Sequence, residues 1–137
     1  IPDRGPLGGI HAALFASRTD HTFCLACDMP LVNPAVVAHL CALARGYEVV
    51  VPVTAAGFEP LHAVYSRSCL PHLERMLQEG RLRVDALFSA VRTHRVEADA
   101  LRPLDPSLRS FFNVNTPADL ETARRLLDRG GEAPCAS

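Results

Sequence analysis

The chain has 137 residues, of which 48% are apolar and 21% charged, so it suits one soluble core and not two. Fourteen basic residues against fifteen acidic ones leave a net charge of −1, which argues against a strongly electropositive nucleic-acid binder. All fourteen basic residues are Arg, and the absence of Lys excludes chemistry that needs a lysine within this chain, whether as Schiff base or phosphate clamp.

No apolar run approaches the roughly 18 residues that cross a bilayer, and the opening Ile1-Pro2-Asp3-Arg4-Gly5 lacks the basic-then-apolar pattern of a signal peptide. An opening without Met suggests a fragment. The five Cys lie mostly in apolar segments and read as reduced, buried thiols of a cytoplasmic protein.

Along the chain, Gly5-Pro-Leu-Gly-Gly9 reads as a loop and Ile10 to Ser17 as the helix after it. Thr22 to Cys27 is a continuous apolar run of strand length, ending at Asp28-Met29-Pro30. Asn33-Pro34 supplies a cap and a first-turn proline for a helix running to Arg45, where Gly46 stops it. Glu48 to Val53 and Leu61 to Tyr65 read as strands about a turn at residues 55–58. Helices are expected over Ser68 to Glu79 and Val84 to Val91, followed by a short strand from His94 to Ala98. Phe111 to Asn115 is a brief apolar run. After it Thr116-Pro-Ala-Asp119 approaches a capping box for a last helix that ends near Arg129. Residues 1–129 thus form one expected domain, and 130–137 a flexible tail. Strands alternating with helices predict an α/β fold with a mostly parallel sheet and flanking helices, whose ligands would sit at the carboxyl ends of the strands.

Asp28 stands at such an end, where one carboxylate can reach Mg2+ and phosphate oxygens; the bland alternative is a turn aspartate before Pro30. Gly5 and Gly9 precede a helix and could let backbone donors approach an anion, although neither GxGxxG nor a Walker lysine is present. Asn113 and Asn115, two apart on an expected strand, would project to one side and could read a polar ligand or fix the next helix. His62, inside an apolar strand, reads first as a structural histidine. Cys24-Leu-Ala-Cys27 has redox spacing, but two cysteines three apart within one strand point to opposite faces and pair poorly. No second CxxC completes a zinc site.

Four segments, Gly5-Pro-Leu-Gly-Gly-Ile10, Phe23-Cys-Leu-Ala-Cys-Asp-Met-Pro30, Pro60-Leu-His-Ala-Val-Tyr65 and Asn113-Val-Asn-Thr-Pro-Ala-Asp-Leu120, resemble in order the C-terminal part of the molybdenum-cofactor guanylyltransferases. The resemblance implies a Rossmann-like nucleotidyltransferase fold, truncated at the N-terminus, that moves GMP from GTP to molybdopterin and releases pyrophosphate. It implies that Asp28 binds Mg2+ and nucleotide, that Gly5 and Gly9 line the nucleotide site, and that Asn113, Asn115 and His62 lie on the pterin side. It also implies contact with other molybdenum-cofactor assembly proteins. The family's opening strand and its Gly-rich loop ending in Arg, Gly and Lys have no counterpart here; about 60 residues would supply them as two βα units. The alternatives are a cytidylyl- or other nucleotidyltransferase, and a non-catalytic module that binds the pterin or a partner.

Overall fold

A computed structural model describes residues 5–130, with side chains for residues 5–127. The elements are α1 (Gly5–Ala16), β1 (His21–Leu25), α2 (Pro34–Ala42), β2 (Val49–Thr54), β3 (Gly57–Phe58), β4 (His62–Ser66), α3 (Leu70–Gln78), α4 (Val84–Ala90), β5 (Thr93–Glu97) and α5 (Pro117–Gly130). Short 3-10 turns span Arg67–Cys69, Ala98–Leu101 and Arg109–Phe111.

The α/β class with flanking helices is as expected, and the sheet is mixed. β2 pairs parallel with β5 through Val49↔Thr93 to Val53↔Glu97. Its other side pairs antiparallel with β4, which in turn pairs antiparallel with β1. β1, β2 and β5 therefore share one direction and β4 opposes them. The reversal follows from the short connection: β2 turns directly into β3, with Val53 opposite Phe58, and so tight a return leaves no room for a helical crossover. In consequence the carboxyl ends of β1, β2 and β5 and the amino end of β4 lie along one edge of the sheet.

Strand alternation divides the core between the two faces. Val49, Val51, Ala63, Tyr65 and Cys24 face α1, α3 and α4, where they bury Leu7, Ile10, Leu14, Leu73, Leu87 and Phe88. Val50, Val64 and Val96 face the other way, onto Val36, Leu40 and Leu101. Expected boundaries shift by a residue or two at most elements. Asn33 caps α2 as its sequence suggests, its side chain accepting from the Ala35 N–H at 2.9 Å.

Three expectations need correction. The Gly5–Gly9 stretch is not a loop but the first turns of α1. Leu7, Ile10 and Leu14 recur at helical spacing and are all fully buried, and that burial outweighs the helix cost of about 1 kcal/mol for each interior glycine. Phe111 to Asn115 forms no strand: a 3-10 turn ends at Phe111, and residues 112–115 are irregular. The thiols are not all buried. Cys24 and Cys69 are, but Cys41 lies on the outer side of α2, opposite Val36 and Leu40, and Cys27 falls beyond the end of β1, so both are exposed. Apart from Gly130, which closes α5, the expected tail with Cys135 lies outside the described residues. Among those described, no helix is long and apolar enough to cross a membrane.

Candidate active site

Asp28 follows β1 in a turn closed by the Met29 N–H donating to the Ala26 carbonyl at 3.4 Å. It is half-buried at the shared edge of the sheet. Its backbone carbonyl accepts the N–H of Val114 at 2.8 Å, which brings the two polar motifs farthest apart in the sequence together. No described residue hydrogen-bonds or ion-pairs with its carboxylate, which leaves those oxygens free for an outside partner.

Glu59 lies near enough for the Asp28 charge to act on it. The residue precedes β4, and since that strand is antiparallel, its amino end reaches the edge where β1 and β2 finish. Burial raises the Glu59 carboxyl above its ordinary pKa and the negative charge of Asp28 adds to the rise; the Thr54 hydroxyl, donating to Glu59 Oε2 at 3.1 Å, opposes both.

A cavity of about 790 Å3 opens along the same edge. Thr54, Glu59, Glu97, Arg109, Phe111 and Asn113 are among the residues that line it. Its size and its mix of apolar walls with a few polar groups suit a small-molecule site. Arg109 is held in place by donating from Nη1 to the Leu126 carbonyl at 2.9 Å. The segment leading there carries a left-handed residue, Leu108 at φ 52°, a conformation that costs a non-glycine residue about 1–2 kcal/mol.

The residues singled out in the sequence are distributed unevenly. Asn113 lines the cavity and Asn115 does not; Asn115 instead precedes α5, its N–H donating to Asp119 Oδ2 at 3.0 Å. The Asp119 N–H in turn donates to Thr116 Oγ1 at 3.0 Å, close to the expected capping box. His62 presents no surface to a ligand. It is 0% exposed, wedged edge-on between Phe23 at 5.3 Å and Phe111 at 4.9 Å, and neither ring nitrogen finds a hydrogen-bond partner among the described residues. The structural reading of this histidine is the one its surroundings favour, and its placement on the pterin side is corrected to a place behind the cavity wall. Burial pushes its pKa down to about 4, the Asp105 carboxylate pulling weakly the other way. Gly5 and Gly9 lie exposed on one side of α1, and a Cβ at Gly9 would meet nothing within 4 Å. Redox chemistry has no support at Cys24, whose buried thiol is pushed up to about 11.

The sequence reading missed Glu59, Thr54, Glu97 and Arg109. Glu59 has one signal in the sequence, an acid shortly before a strand, but in a parallel sheet strand beginnings lie at the far edge, so only the antiparallel β4 gives that signal meaning.

A single Mg2+ needs only one or two protein carboxylates, its other ligands being water and phosphate oxygens. The unpartnered Asp28 carboxylate with Glu59 nearby fits that requirement. No group of three or more His, Cys, Asp or Glu residues gathers among the described residues, so a cation caged by protein alone does not fit.

The profile of the MobA-like NTP transferase domain matches residues 1–96. The chain belongs to that family. It is 40% identical over 93% of its length to the molybdenum cofactor guanylyltransferase of Desulfosudis oleivorans, covering 63% of that protein. It is 43% identical over 88% of its length to the probable molybdenum cofactor guanylyltransferase of Methanosarcina mazei, covering 55% of it. The crystal structure of molybdopterin-guanine dinucleotide biosynthesis protein A from Archaeoglobus fulgidus superimposes with a TM-score of 0.78 at 33% identity, over 90% of this chain and 63% of that one. The chain thus spans less than two thirds of the length of these relatives. Its sheet, helices and edge are those of a MobA-like nucleotidyltransferase, and the match to residues 1–96 takes in Asp28 and Glu59.

Proposed function

We propose that this chain carries the acceptor side and the metal-binding carboxylate of a molybdenum cofactor guanylyltransferase, which moves GMP from GTP to molybdopterin and releases pyrophosphate. The observation that carries the reading is the Val114 N–H bond to the Asp28 carbonyl, which ties the turn bearing a metal-competent carboxylate to the Asn113 segment of the cavity wall. The names of the relatives supply the substrates.

Asp28, with Glu59 near it, would hold the Mg2+. An ion held by these carboxylates would supply positive charge to neutralise the phosphate oxygens. The protein's part is placement. Phe111 and Phe112 offer flat apolar surface to the fused ring of a pterin, and Arg109 offers a guanidinium to its phosphate. The attacking phosphate is already an anion, so transfer needs in-line alignment and no strong general base. Gly5 and Gly9, on the exposed side of α1, would border the nucleotide, and Asn113 would read the pterin edge, with Asn115 fixing the loop behind it. With GTP as a substrate, the reaction would run in the cytoplasm.

The test uses the protein at the full length its gene encodes, with GTP, Mg2+ and molybdopterin, following pyrophosphate release. Wild type should turn over, and Asp28→Ala should lose transfer by at least about a hundredfold with its fold intact. Turnover retained by the variant, or faster transfer from CTP than from GTP in the wild type, would refute the assignment.

A further inference from the structure

Behind the cavity wall lies a second polar centre with no place in the transfer chemistry. Asp105 is 3% exposed, and Ser110 beside it is fully buried. No cation neutralises the carboxylate among the described residues. It is held by three donors from the turn that follows: the Arg109 N–H to Oδ1 at 3.3 Å, and the Ser110 N–H, at 2.9 Å, and hydroxyl to Oδ2. The Asp105 carbonyl takes a fourth bond, from the Leu108 N–H at 2.9 Å, across the left-handed residue.

Of the donors, Leu108 and Arg109 line the cavity themselves, and Ser110 sits between Arg109 and Phe111, which both do. Arg109, Phe111 and Asn113 all lie within four residues of the capped turn and all line the cavity. Two further contacts limit where the turn can go. Phe111 rests against the enclosed ring of His62, and the Val114 N–H is tied to the Asp28 carbonyl. A buried carboxylate satisfied only by local N–H and O–H groups is costly to desolvate, and it keeps its low energy only while those donors converge on it. The turn is thereby locked into one shape, including the left-handed Leu108 that an isolated chain would avoid.

We propose that Asp105 is a positioning residue for the acceptor: it fixes the turn at residues 105–111 so that Arg109, Phe111 and Asn113 form the cavity wall at a set distance from Asp28. The proposal rests on the transferase reading for the identity of the acceptor, and on the hydrogen bonds alone for the mechanical part. Asp105 touches no substrate. Its removal should loosen the wall and spare the nucleotide side, which other elements build.

The test compares wild type with Asp105→Ala and Asp105→Asn, at full length, by two independent readouts. Amide exchange of Arg109, Ser110 and Val114 should speed up in Asp105→Ala while the β2 amides stay protected. Steady-state transfer should show the KM for molybdopterin rising about tenfold while the KM for GTP stays within about twofold. Asp105→Asn keeps one acceptor oxygen and should fall between the other two proteins, which preserves the test if the alanine variant folds poorly. Unchanged exchange at the three amides, or an equal rise in both KM values, would overturn the proposal. A wild-type protein that transfers no GMP would sink the transferase reading instead, and the exchange readout would then decide the role of Asp105 alone.

Discussion

The two faces of the sheet are built from different materials. The face under α1, α3 and α4 buries leucines, valines, Tyr65 and Phe88; among its buried members the polar handles are a phenol and two thiols. The opposite face carries a smaller aliphatic cluster, and the three buried polar residues of the described chain, His62, Asp105 and Ser110, lie on its side, next to the cavity. Apolar packing is non-directional and tolerates small shifts, so it can supply stability without setting a geometry. Buried hydrogen bonds do the reverse: they add little net stability and penalise every arrangement but one. The division of labour follows from that. One face holds the fold together, and the other holds the cavity wall in register with Asp28.

The largest expected effect lies on the first face. Phe88, 1% exposed, packs edge-on against Phe58 at 4.9 Å and stacks near Tyr65 at 6.5 Å. Phe88→Ala should cost about 3–5 kcal/mol by denaturant titration, through lost burial and the cavity left behind. The protein that remains folded should keep its KM for both substrates. A KM that changes for one substrate alone would show that this face also shapes the site.

A somewhat smaller effect should come from the second face, through pH. The unfolded His62 takes up its proton below pH 6.5, whereas the buried ring resists until about pH 4. The folded state is therefore at no disadvantage above pH 6.5 and loses about 3 kcal/mol from this group as the pH falls towards 4. His62→Leu should flatten the stability profile across that window, and a profile as steep as that of the wild type would rule out the ring as its source.

The smallest effect belongs to α1 and has the opposite sign. Nothing lies within 4 Å of where a Cβ on Gly9 would sit, so Gly9→Ala should stabilise the helix by about 1 kcal/mol, readable as a raised Tm. If Gly9 borders the nucleotide, the same variant should raise the KM for GTP. An unchanged KM would remove Gly9 from the site.

Local chemistry made much of this protein legible from its sequence. The α/β class, the strand runs, the Asn33 cap and the Thr116–Asp119 signal depend on neighbours a few residues away, and so does the place of Asp28 just past an apolar strand. What the tertiary structure alone decided concerns direction and enclosure. β4 runs against its neighbours because β2 returns through β3, and that reversal delivers Glu59 to the edge where Asp28 waits. The glycines at residues 5–9 look like a loop until Leu7, Ile10 and Leu14 find a sheet face to bury against. His62 reads as structural from its apolar strand, but only the fold supplies the rings of Phe23 and Phe111 that close over it. Propensity and pattern act over a turn or a strand, while burial and strand direction are set by partners distant in the chain, which no local window contains.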